Sequence, residues 1–143
     1  MHSHAEKKVL PYTPDQMFDM VADVAAYPDF LPWCIATRIR SEDETHLIAV
    51  MVIGFKMFRE QFTSRVTLDR PGSIKVEYER GPFKYLKNQW KFASDKDGNC
   101  LVDFSVEFEF RSSLLEMAIG KVFTEAVLMM VAAFEKRAKS LYG

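Results

Sequence analysis

The sequence predicts an α+β fold: a curved antiparallel sheet of about seven strands wrapped around a long C-terminal helix, with two short helices after the first strand. Three observations lead there. In residues 100–110, Cys100, Val102, Phe104, Val106, Phe108 and Phe110 alternate with a second set that, after Leu101, is Asp103, Ser105, Glu107 and Glu109. That is the period of a strand with one buried and one wet face. Residues 113–142 repeat apolar side chains at helical spacing. Between the first helix and the last, strand-like runs follow one another across turns too short for the crossover a parallel pair needs.

The elements follow in order. Ser3–Leu10 reads as a first strand. Thr13 then suits an N-cap, Pro14 the first helical position and Gln16 the reciprocal place of a capping box. Phe18, Val21 and Val24 give this helix a short apolar face, ending near Asp23 or Ala25. Pro28 and Pro32 forbid a long helix across residues 27–34, which leaves a turn or a single helical turn. Strand-like runs come next at about 35–41, 45–53, 58–68, 73–79 and 86–93, and Asp97-Gly98 marks the hairpin into the last strand. Ser113–Tyr142 is expected to be one helix, about 45 Å long. Its apolar arc holds Leu115, Ile119, Val122, Phe123, Ala126, Val127, Met129, Met130, Ala133 and Phe134, almost half the circumference. Gly120 sits inside it, where Gly costs about 1 kcal/mol relative to Ala. A curved sheet around so broad a helix face leaves space between the two, the first hint of function.

The chain has 143 residues, the size of one domain, so residues 1–143 are expected to share a single core. Nineteen basic residues against 20 acidic ones give a net charge of −1, which excludes a polybasic nucleic-acid arm. Apolar residues at 48% exclude a disordered chain. Cys34 and Cys100 make no disulfide framework, which points to a reducing compartment. Residues 1–11 carry no apolar signal core or transit pattern. The longest apolar stretch, residues 126–134, is far short of the roughly 20 residues of a membrane span. The expected location is cytoplasmic, with peripheral contact at the inner membrane face.

Nothing in the pattern supports catalysis. His2 and His4 share one face of a strand, but no Cys or acidic cluster completes a metal site, and a frayed terminal strand is the plainer reading. His46 is isolated, and neither cysteine has a histidine at motif spacing. No nucleophile elbow, phosphate loop, dinucleotide fingerprint or zinc-protease motif occurs. The expectation is a non-enzyme with no metal and no cofactor.

At Tyr27-Pro-Asp-Phe-Leu-Pro-Trp-Cys34 the chain resembles the coenzyme Q-binding START-domain family, a polyketide cyclase/dehydrase-like branch of the helix-grip superfamily that includes ribosome-association toxins. The resemblance extends through Leu10–Asp19, Val52–Lys56, Arg59–Val66, Gly81–Trp90 and Val131–Arg137. It implies a seven-stranded antiparallel sheet around the C-terminal helix, a hydrophobic cavity between them, and binding of ubiquinone or a similar isoprenoid lipid in support of respiration. Respiratory or quinone-biosynthesis proteins are the implied partners. Candidate cavity residues are Phe62, Ile74, Val76, Tyr78, Trp90, Phe92, Phe104, Val106, Phe108, Leu115, Ile119, Val122, Val127 and Met130. Each also fits an ordinary packed core; the resemblance is what makes them a cavity. Phe30, Leu31 and Trp33 are candidates for a gate or membrane contact, against a plain apolar plug. Gly120 is a candidate soft point that opens the cavity, against a tolerated small residue.

Burying a five-carbon isoprene unit from water gains about 4 kcal/mol, at ~0.8 kcal/mol per methylene-sized group. A lipid arriving from a bilayer gains almost none of that, so selectivity must come from the head group and the cavity shape. Tyr27, Tyr78, Asn88 and Trp90 are the candidate head-group donors. Two alternatives share the fold. A cyclase- or aromatase-like enzyme needs an ionisable residue deep in the cavity. A ribosome-binding protein needs a contiguous basic surface, which the near-neutral charge does not suggest.

Overall fold

Residues His2–Leu10 (β1) pair along their whole length with Cys100–Phe110 (β7), so the first and last strands lie side by side in the computed structural model, which describes residues 2–143. The strand expected to fray at its start is therefore held from His2, opposite Phe108. Between them come Cys34–Glu42 (β2), His46–Phe55 (β3), Phe58–Asp69 (β4), Ser73–Arg80 (β5) and Phe83–Ser94 (β6). The sheet runs β1-β7-β6-β5-β4-β3-β2, antiparallel throughout. Its two edges are β1 and β2, joined by Pro14–Ala22 (α1) and a 3₁₀ helix, Val24–Asp29, that cross the concave side.

The cap of α1 forms as the sequence expects. Thr13 Oγ1 accepts from the Gln16 N–H at 3.1 Å, and Gln16 Oε1 accepts from the Thr13 N–H at 2.9 Å. The helix buries Met17, Phe18, Met20 and Val21. At the β5–β6 connection Gly81 has φ 141°, and a Cβ there would stand 2.7 Å from the Phe62 Cβ, so only glycine fits.

The C-terminal segment departs from expectation. It is not one helix but two, Ser113–Gly120 (α2) and Phe123–Tyr142 (α3), bent by 64°. At the break the Lys121 and Val122 N–H groups bond three residues back, to Ala118 (3.3 Å) and Ile119 (3.0 Å). Gly120 gives the segment a weak helix former at that point. Upstream, Ser112 Oγ caps α2, and Glu116 Oε1 accepts the Phe110 N–H at 2.8 Å, tying α2 to the end of β7. Such a break keeps the apolar spacing nearly intact, which is why periodicity did not reveal it. The predicted apolar arc is split: α3 buries Val127, Phe134 and Ala138, α2 buries no residue, and Met129 is partly exposed.

Candidate functional site

Even-numbered residues of β6 and β7 share a face because side chains alternate across a strand. The register sets Trp90 beside Phe104 and Asn88 beside Val106, and on the other side Asn88 beside Val76. On β4 the same face carries Phe62, Ser64 and Val66. This concave face and the two C-terminal helices enclose two chambers. The outer one, about 170 Å³, lies under α2 and the start of α3 and is bounded by the β3–β4 hairpin. The inner one, about 140 Å³, lies toward α1 and the 3₁₀ helix. Trp33, Phe62, Leu86, Val106 and Met130 line both, so the two chambers adjoin at these residues. Each chamber is about the size of a cavity that takes one benzene ring.

Of the sequence-derived candidates, Phe108, Leu115, Ile119 and Val127 line the outer chamber. Ile74, Val76, Trp90 and Phe104 line the inner one, and Phe62, Val106 and Met130 line both. Three candidates stand outside the chambers. Phe92 is packed edge-on against Phe18 in the solid core, Tyr78 lies against Phe83, and Val122 occupies the break between α2 and α3. Phe83, Leu86, Phe123, Ala126 and Phe134 join the walls unforeseen. Leu86 could have been found by extending the alternation from Trp90.

Within the Phe30–Trp33 segment Leu31 is buried, Phe30 and Trp33 are half-buried and Pro32 is exposed. Leu31 is 3% exposed, so it cannot touch a membrane. Phe30 packs edge-on against Phe134 (ring centroids 5.3 Å) and Tyr27 (5.8 Å), with the Arg137 guanidinium over its face. Phe30 and Leu31 thus pack on the core, while Trp33 lines both chambers. Met57, at the tip of the hairpin that bounds the outer chamber, is 96% exposed, and Leu114 and Met117 on α2 are also exposed; Val9, Leu101 and Leu141 are exposed elsewhere. Gly120 is exposed at the break, where a Cβ would meet only His2 Cε1 at 3.5 Å.

Polar groups are few. Glu60 lines the outer chamber; Tyr27, Ser64 and Asn88 line the inner one. The Tyr27 hydroxyl donates to the Val21 carbonyl at 2.5 Å, and burial pushes its pKa above the usual tyrosine range. Asn88 Nδ2 donates to the Ser105 carbonyl at 2.9 Å. The Tyr78 hydroxyl accepts from the Phe83 N–H at 3.2 Å. Ser64 is 4% exposed, and its Oγ has no hydrogen-bond partner among the described residues. Burial pushes the Cys34 and Cys100 thiols up to about 11, so both stay protonated and are poor nucleophiles at neutral pH. His2 Nε2 lies 3.0 Å from Glu116, and His4 Nε2 lies 3.2 Å from Glu6. Among the described residues no three His, Cys, Asp or Glu side chains are gathered as a metal site would require. No single helix is long and apolar enough to cross a membrane.

A sheet gripping a C-terminal helix over an apolar cavity defines the START-like, helix-grip class of domain. The chain belongs to the family described as polyketide cyclase / dehydrase and lipid transport, which matches residues 10–135. It is 41% identical to the ribosome association toxin RatA of Rickettsia prowazekii, over 99% of each chain. It is 34% identical to the mitochondrial coenzyme Q-binding protein COQ10 homolog B of Xenopus laevis, over 98% of this chain and 59% of that one. Among solved structures, an 18 kDa protein of Caulobacter crescentus superposes with a TM-score of 0.79 at 41% identity, covering 100% of this chain and 99% of that one. A Streptomyces aromatase/cyclase shares the fold alone: TM-score 0.82, 15% identity, 96% of this chain and 93% of that one.

Proposed function

We propose that this domain binds ubiquinone or a related prenyl lipid non-covalently and delivers it to respiratory or quinone-biosynthesis proteins. The observation that carries the reading is the pair of adjoining apolar chambers between the sheet and the C-terminal helices. The similarity to a protein named for coenzyme Q binding supports the choice of lipid. Two chambers hold a ring and a short stretch of chain, so a long prenyl tail leaves through the outer mouth. There Met57, Leu114 and Met117 offer it an apolar rim, and the same rim suits peripheral contact with a membrane from a cytoplasmic position. Binding without chemistry fits the protonated thiols and the placement of the one carboxylate on the lining, Glu60, in the outer chamber.

Lipid extraction with mass spectrometry, followed by titration with a short-chain ubiquinone, tests this. The wild type is expected to carry or take up the lipid. Ile119→Trp, which fills the outer chamber, should weaken uptake at least tenfold. A wild type that carries no lipid and takes up no quinone overturns the reading.

Ribosome association is a second reading, favoured by the relatives that bear that name. Net charge conceals how charge is distributed. On the convex face Arg38, Arg65, Lys75, Lys87 and Lys91 are all exposed, interrupted by Glu77 and with Glu107 and Asp103 of β7 directly opposite Lys87 and Lys91. Co-sedimentation with ribosomal subunits that falls steeply with salt would support it; no co-sedimentation at low salt would dismiss it.

A further inference from the structure

Ser64 is out of keeping with its surroundings. It stands on β4 between Phe62 and Val66, on the wall of the inner chamber, buried and without a hydrogen-bond partner among the described residues. A hydroxyl held that way destabilises a fold, and alanine would fill the place without that penalty. Such a group is explained when something else arrives to meet it. Asn88 shares the chamber. Its Nδ2 is held by the Ser105 carbonyl at 2.9 Å, which fixes the amide plane and leaves Oδ1 as an acceptor. The remaining walls are aromatic: Trp90 lies 4.6 Å from Phe104 and 5.1 Å from Phe134, centroid to centroid. A chamber of about 140 Å³ with aromatic faces and two polar points suits one flat, oxygen-bearing ring. The outer chamber has no such pair.

We propose that the inner chamber is a head-group pocket that takes a quinone or phenol ring first, with Ser64 Oγ–H donating to a ring oxygen. Asn88 Oδ1 accepts from the ring hydroxyl when the ligand is in the phenol or quinol form. The tail follows past Trp33 and Met130, which border both chambers, into the outer chamber. The inference rests on the lipid-binding reading and deepens it: it says which end of the ligand enters and which residues read it.

The test titrates the full chain with two probes, a ubiquinone carrying two isoprene units and farnesane, a branched hydrocarbon with no oxygen. Trp33 and Trp90, the protein's two tryptophans, both line the chambers, so their emission reports occupancy. Ser64→Ala should weaken quinone binding about three- to tenfold, the range expected for one hydrogen bond, and leave farnesane within about twofold. Ser64→Thr, which keeps the hydroxyl, should retain the quinone preference. The unliganded Ser64→Ala protein should melt at a higher temperature than wild type, which separates a ligand-reading role from a structural one. Unchanged quinone affinity in Ser64→Ala, or an equal loss for both probes, overturns the inference and leaves lipid binding standing. A wild type that takes up neither probe overturns both.

Discussion

Beyond the inner chamber, at one end of the concave groove, α1 and the end of α3 pack solidly against the sheet: Phe18 is 1% exposed, and Cys100 and Ala138 are wholly buried. At the other end α2 lies over the same sheet with no residue fully buried, and a chamber of about 170 Å³ opens beneath it. The two ends are built from similar material. Leu114, Leu115, Met117 and Ile119 are as apolar as Val127, Met130 and Phe134. What differs is direction: the 64° turn at residues 121–122 carries the axis of α2 away from the line that α3 follows. Apolar spacing specifies which side of a helix faces a sheet, but the axis decides how near it comes, and the cavity is where the two part.

Truncations at the two ends measure that difference. Phe18→Ala removes a ring that packs edge-on against Phe92 and should lose about 3–5 kcal/mol in urea denaturation. Ile119→Ala borders space that already exists and should lose only about 1 kcal/mol. Equal losses would mean that the outer end is as tightly packed as the core around Phe18. Gly120→Ala has room for its Cβ and should raise stability by about 0.4–1 kcal/mol through the unfolded chain. If the break is also the soft point through which ligand enters, quinone uptake by Gly120→Ala should slow in stopped-flow fluorescence while the final occupancy holds. The smallest effect belongs to the exposed rim: Leu114→Ser with Met117→Ser should stay within about 0.5 kcal/mol of wild type. Transfer of quinone from vesicles should nevertheless fall in that double variant; unchanged transfer would remove the rim from the entry route.

Much of the architecture is legible in the residues. The alternation of residues 100–110 marks β7, the Thr13–Gln16 pair marks the start of α1, and Asp97-Gly98 marks the last hairpin. The site was read less fully. Phe104 and Val106 follow from alternation; Phe92, named with Trp90 on the neighbouring strand, is covered by α1. Ser64 went unnoticed because a serine on a strand looks like an ordinary surface residue until its neighbours Phe62 and Val66 are seen on one face. For Phe30 and Leu31 the sequence leaves a gate and an apolar plug open; in the structure Leu31 is buried and Phe30 packs on Phe134.

By itself the sequence determined the elements, their order and their apolar faces, because strand and helix periods and helix caps are settled by backbone geometry within a few residues of chain. Tertiary structure alone decided that the last helix breaks, that two chambers form under it, and that one buried hydroxyl stands unpaired on their wall. Those features depend on how closely elements distant in the chain approach one another, and that distance is set by packing across the whole sheet.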